Sequence, residues 1–233
     1  VVEGGASRVV VMSRGGRVGR GEQGLAAQAA ALHALARIIS ADASDAANAI
    51  MAVGAVPFVG VLHAAGVIDK GLLTRLDWAR VHWMHTAKAF GTCSLHYTTA
   101  RMPLCAHVHY SSVGSGVGNV GQTSYATANA YVDAHAFSRR VLGAAACSVQ
   151  WPLVGGAGMG AAVFAALSDR QVAMIGLAGI SLEEYSACLS ACVSAARCGV
   201  TLCIQLLHRA DVREVLQDLS DASQPRFREL AEV

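Results

Sequence analysis

Residues 105–151 read CAHVHYSSVGSGVGNVGQTSYATANAYVDAHAFSRRVLGAAACSVQW. The stretch divides into a strand-like run, CAHVHYSS (105–112), a glycine- and serine-rich connection, a helix-length segment, SYATANAYVDAHAFSRRVLG (124–143), closed by Gly143, and a second strand-like run, ACSVQW (146–151). Two strands joined through a helix of more than ten residues lie parallel, because the crossover must return the chain to the edge from which it started.

The same alternation extends outward. RVVVMS (8–13), RIIS (37–40), FVGVLHAAG (58–66) and GVTLCIQLL (199–207) read as further strands. GLAAQAAALHALARI (24–38), SDAANAIMAV (44–53, with Ser44 as N-cap), DWARVHWMHTAKAFGTCSLHYTTA (77–100) and SLEEYSACLSACVSA (181–195) read as helices. The strands are near-continuously apolar, as strands buried on both faces are. The fold class is α/β: a Rossmann-like, doubly wound parallel sheet with helices on both faces. In such sheets ligands sit beyond the C-terminal ends of the strands. The positions to watch are therefore Ser13–Arg14, Asp42, His63–Gly66, Ser111–Ser112 and Trp151–Pro152.

Composition narrows the function classes. Apolar residues make up 54% of the 233 and charged residues 15%, which is a globular and not a disordered balance. Apolar runs are interrupted well before the length of a membrane span, and VVEGGAS is not a signal peptide. The net charge of +2 and a single basic cluster, RGGRVGR (14–20), give no footprint for nucleic acid. No metal site is expected: His82 and His85 are three apart without a third ligand. His107 and His109 read as packing residues, as do Trp78 and Trp83, and Cys188 and Cys192 as small core residues. Seven cysteines without a CxxC pair point to a reducing compartment.

GxGxxG occurs twice. Gly19, Gly21 and Gly24 precede Asp42 at about the interval of a dinucleotide fingerprint, but six residues separate them from the preceding strand. Gly116, Gly118 and Gly121 have no acidic residue downstream, so these glycines keep a loop slim beside a ligand.

The chemistry concentrates in 111–129. Tyr125 and Asn129 share a helix face, and Ser112 stands at a strand end close enough to return its hydroxyl to them. Serine and tyrosine hydroxyls can hold a carbonyl oxygen while the phenol delivers a proton. The phenol, with an ordinary pKa near 10, needs a cation nearby, and the chain has only Lys70 and Lys88.

VLHAAGVIDKGLL, AKAFGT, YSSVGSGVGNVGQTSYATANAYVDAHAFSRR and SVQWP together resemble the ketoreductase domain of modular polyketide synthases and multifunctional fatty acid synthases, in the short-chain dehydrogenase/reductase superfamily. The resemblance covers about 1–160 closely. Most of that superfamily has Tyr-x-x-x-Lys; here Asn129 stands in the lysine position and Lys88 lies on an earlier helix.

The resemblance implies NADPH-dependent reduction of a β-ketoacyl thioester on an acyl carrier protein. Tyr125 would be the proton donor, Ser112 would bind the keto oxygen, Lys88 would lower the Tyr125 pKa and touch the cofactor ribose, and Asn129 would support the proton relay. Ser13, Arg14, Ala41, Asp42, His63, Ala64, Ala65, Gly66 and Pro152 would contact the cofactor, with Arg14 on the 2′-phosphate. Asp69, Val117, Gln122 and Met159 would face the substrate. Asp69 followed by Lys70, and Val117 where a tryptophan marks the opposite alcohol, lean toward a D-hydroxyl product.

The family's first strand and glycine-rich phosphate loop are not found, so the chain reads as an N-terminally truncated piece. The domain would run over 1–208, with a lid at about 155–195 and a peripheral helix or linker at 209–233. Neighbouring synthase domains are the expected partners, in the cytoplasm or, in an alga, a plastid. Two rivals differ in testable residues. A sugar epimerase or dehydratase of the superfamily would carry Lys at 129, and a decayed structural domain would have lost Tyr125, Ser112 or Lys88.

Overall fold

The computed structural model describes residues 6–17, 27, 30–31, 35–53, 58–118, 121–156, 158, 179–197 and 203–205. Its ordered elements are β1 (Val9–Ser13), β2 (Ala36–Ser40), α1 (Ala46–Val53), β3 (Gly60–His63), α2 (Trp78–His85), α3 (Gly91–Thr99), β4 (Ala106–Ser112), α4 (Thr123–Val141), β5 (Cys147–Trp151), α5 (Leu182–Arg197) and β6 (Cys203–Gln205). Every strand pairing among the described residues is parallel. The strands form two ladders, β1–β2 and β3–β4–β5–β6, with no backbone pairing between β1 and β3. Among the described residues no strand lies between those two, where the expected first strand would fit.

The two faces of the large ladder differ in chemistry. Ala106 and Val108 of β4, with Cys147, Val149 and Trp151 of β5, pack with Ile180, just before α5, and with Cys192 of α5 in an apolar core. On the alternate positions, Ser111 bonds to the α4 backbone at Asn129, and Ser148 and Gln150 bond to Asp133 of α4. Period-two alternation thus sorts an oily face from a hydrogen-bonding one. No helix of the described residues is long and apolar enough to cross a membrane.

Four local differences from the sequence reading have physical causes. Residues 36–38 belong to β2, paired with Val9–Val11, and not to a helix running on from 24. The α1 start is capped by Asp45, whose Oδ1 accepts from Ala47 N and Asn48 N, because Ser44 is engaged with Asp42. The single helix expected over 77–100 is α2 and α3 joined by a π turn, Thr86–Phe90. Trp78 does not pack between helices; it is 76% exposed and leans on His82.

Part of the expected lid is also core. Residues 182–195 lie in α5, where Cys192 is buried and Tyr185 packs on Trp151. Val154 bridges to Ile180, closing the base of the intervening segment. Most of that segment, Met159 included, and the 209–233 tail lie outside the described residues, as does the Gly19–Gly24 pattern.

Candidate active site

Parallel pairing puts the C-terminal ends of all the strands on one edge of their ladders, and the chemistry-bearing residues stand there. Ser112 ends β4. Its Oγ accepts from Gly114 N at 3.2 Å, capping a single helical turn, Val113–Gly116, and it also bonds to the Tyr125 phenol. The turn and the glycines after it bring the chain back at once: Gly118 and Gly121 have φ of +91° and +71°, a region glycine enters without strain.

Tyr125 lies in the first turns of α4 and is 9% exposed. Burial pushes its phenol up, while hydrogen bonds from the Ser112 and Asn129 side chains pull it down. Asn129, one turn on and fully buried, donates Nδ2 to the Tyr125 carbonyl at 2.9 Å. Its Oδ1 is buried without a partner. An orphaned acceptor beside a proton donor fits a relay that a water or a ligand hydroxyl completes.

Lys88 sits inside the π turn, 3% exposed. Its Nζ donates to Tyr110 O at 2.5 Å. Burial lowers its pKa to about 8, partly offset by the Asp133 carboxylate. The expected pull of Lys88 on Tyr125 is not what the structure shows: the phenol answers to Ser112, Asn129 and burial, and the ammonium is turned to the strand carbonyl. π turns add a residue to one helical turn and recur at functional sites, and here the extra residue falls in the segment carrying the lysine.

The cofactor-side residues fall into two groups. Ser13 closes a turn with Gly16 N, and Ser40 Oγ donates to Arg14 O at 3.0 Å, so the Arg14 backbone is fixed while its side chain is exposed. Ala41 is buried and donates its N–H to Ser13 O. Asp42 Oδ1 accepts from Ser44 N and Oγ. In the other ladder His63 is buried with Nε2 3.3 Å from Lys88 O, and Ala64 and Ala65 are exposed beside the half-buried Gly66. Pro152, like Trp151 before it, is buried. A row of small, exposed residues at a strand end leaves room for a flat ligand, and the residues present fit a nicotinamide cofactor.

On the substrate side Asp69 is held by Arg80 through two bonds, of 3.0 and 2.7 Å. Gly71 N donates to Gly121 O at 2.8 Å, joining the 66–72 loop to the glycine loop. Val117 and Gln122 are buried between Ser112 and α4. Asp69 thus shapes the loop through Arg80, a partner the sequence reading did not single out.

Asp133 was also missed. It accepts from Ser115 Oγ, Ser148 Oγ and Gln150 Nε2, tying α4 to β5 and to the turn after Ser112. Its spacing, four residues after Asn129 and eight after Tyr125, was a visible signal.

The family described as the KR domain matches residues 1–156. The chain belongs to the KR domain family. The relatives it matches are polyketide synthases. This KR domain is 39% identical over 142 residues to the spectinabilin polyketide synthase system protein NorB of Streptomyces orinoci, covering 60% of the chain and 6% of that protein. It is 37% identical over 175 residues to the polyketide synthase ThaG of Burkholderia thailandensis, covering 72% of the chain and 3% of that protein. A solved A1-type ketoreductase superposes with a TM-score of 0.78 at 26% identity, over 96% of the chain and 48% of that structure. The chain therefore spans a small part of these synthases and about half of the solved ketoreductase.

Proposed function

We propose that this KR domain reduces the β-keto group of an acyl thioester, carried by an acyl carrier protein, with NADPH, within a polyketide or fatty acid synthase in the cytoplasm. The observation that carries this reading is the Ser112–Tyr125–Asn129 hydrogen-bonded set, with Lys88 buried in the adjoining π turn. The cofactor, when bound, supplies a hydride to the β-carbon. Ser112 orients the keto oxygen by a hydrogen bond. Tyr125 gives its phenolic proton to that oxygen as charge builds there. Asn129, through its open Oδ1, and Lys88 carry the replacement proton inward. Arg14, exposed at the end of β1, suits a 2′-phosphate, which favours NADPH over NADH. Val117 and Asp69 favour a D-hydroxyl product.

The test is oxidation of NADPH by the chain, and by the longer polypeptide that contains it, with a β-ketoacyl thioester. Turnover that Tyr125→Phe abolishes and that NADH supports poorly is expected. Equal rates in the Tyr125→Phe protein would overturn the mechanism.

A second reading, a non-catalytic structural domain, is favoured by one observation: the β1 and β3 edges are not joined by a strand among the described residues. It predicts that neither polypeptide turns over.

A further inference from the structure

Five histidines gather between the hydrogen-bonding face of the sheet and the helices over it. His63 ends β3, His96 is on α3, His107 and His109 alternate along β4, and His135 is on α4. Ring centroids are 6.2 Å apart for His63–His109, 4.4 Å for His107–His109, 5.3 Å for His109–His135 and 5.0 Å for His135–His96. His63, His107 and His109 are at most 2% exposed. Both ring nitrogens of His107 and of His109, and Nδ1 of His135, have no hydrogen-bond partner. His107 and His109 are packed inside, as their alternation suggested, and their ring nitrogens are left without partners.

A cation already stands among them. Arg139, one turn after His135, is 6% exposed and has Nη1 2.7 Å from His96 Nδ1. A guanidinium does not give up its proton, so it donates and His96 accepts as a neutral ring. The charged groups acting on the five rings are Lys88 of the π turn, Arg139 of α4 and the rings themselves. The nearby carboxylate, Asp133, is bonded to Ser115, Ser148 and Gln150 and acts on Lys88. Among the described residues no group of three or more His, Cys, Asp or Glu could hold a metal ion.

The cluster joins the elements that position the catalytic set: β4 with Ser112, α4 with Tyr125 and Asn129, and α3 with the π turn of Lys88. We propose that this histidine cluster is an acid-operated release, in which proton uptake by the rings drives α3 and α4 off β4, parting Lys88 from the Tyr110 carbonyl and Tyr125 from Ser112.

Burial and the neighbouring cations hold His63 and His135 down to about 4, and His107 and His109 well below the ordinary 6.5. Unfolding frees each ring to bind a proton near its ordinary value. Between about pH 6.5 and 4 the unfolded state therefore carries more protons, and stability falls as pH falls. Four such rings change the folding equilibrium about 10⁴-fold per pH unit, or ~5 kcal/mol, comparable with the whole stability of a domain.

The test is an acid titration of the chain by near- and far-UV circular dichroism, with proton uptake measured across the transition. A cooperative loss of structure at about pH 5–6, taking up three to four protons, is expected. The double variant His107→Leu/His109→Leu should shift the midpoint down by about a pH unit and lower the uptake by about two. A wild-type fold that persists to about pH 4, or a midpoint unmoved in the double variant, would overturn the proposal. Histidine ring NMR of the wild type needs no variant: rings of the cluster that titrate near 6.5 while the protein stays folded would also overturn it. None of these readouts depends on ketoreductase turnover.

Discussion

The side-chain amide of Asn129 donates to the carbonyl of Tyr125 one helical turn earlier, which leaves the Asn129 Oδ1 buried and facing no donor. That geometry costs stability, since a buried acceptor without a partner forgoes roughly 1–3 kcal/mol of hydration. Asn129→Leu is expected to lower kcat by about 10²-fold or more, while the melting temperature holds or changes by only a few degrees. A melting transition that collapses along with activity would assign Asn129 to folding and not to proton transfer.

Lys88 offers a sharper separation of stability from activity. Its pKa falls from 10.5 to about 8 because the ammonium is desolvated. The unfolded chain holds that proton up to higher pH, so the folded state is penalised fully below pH 8, and stability rises between about 8 and 10.5. The penalty is about 3 kcal/mol, reduced by about 1 for the Tyr110 carbonyl that a neutral side chain would leave bare. Lys88→Met is therefore expected to raise stability in urea by about 2 kcal/mol at neutral pH and to abolish turnover. Destabilisation would show that the ammonium's hydrogen bond outweighs its burial.

The same group sets the basic limb of the activity profile. Turnover needs charged Lys88, so kcat/KM should fall above about pH 8. Asp133 favours the charged form, so Asp133→Asn should move that limb to lower pH and weaken the tie between α4 and β5. A limb that stays in place in Asp133→Asn would remove Lys88 as its origin.

Gly91 shows how close the packing is behind the site. A Cβ built there would stand 2.9 Å from His63 Cε1, and His63 is buried and cannot swing away. Ala in place of Gly helps an exposed helix by about 1 kcal/mol, but overpacking here should outweigh that and destabilise by about 1–3 kcal/mol net. His63→Ala in the Gly91→Ala background should recover much of the loss. Additive losses in the double variant would show that the two residues do not meet.

How far the sequence carried the reading differs by element. β4, α4 and β5 were legible because period-two and period-3.6 patterns are local and Gly143 marks the helix end, with φ +79° in the structure. The bond between Ser112 and Tyr125 was legible from spacing and chemistry together. The π turn was not, since no residue type between 86 and 90 signals it and tertiary packing sets it. The Asp69–Arg80 pair and the histidine cluster were hidden for the same reason: they join residues distant in sequence whose types are unremarkable one by one.

The separation of the two parallel ladders has a consequence for motion. With no backbone bonds between β1 and β3, the contact of α1 with α3 is a main mechanical link between the halves. The β1–β2 amides can exchange with solvent by a subglobal opening that leaves β3 to β6 closed, so the chain should behave as two foldons of unequal depth, the shallower carrying Arg14 and the deeper carrying Tyr125.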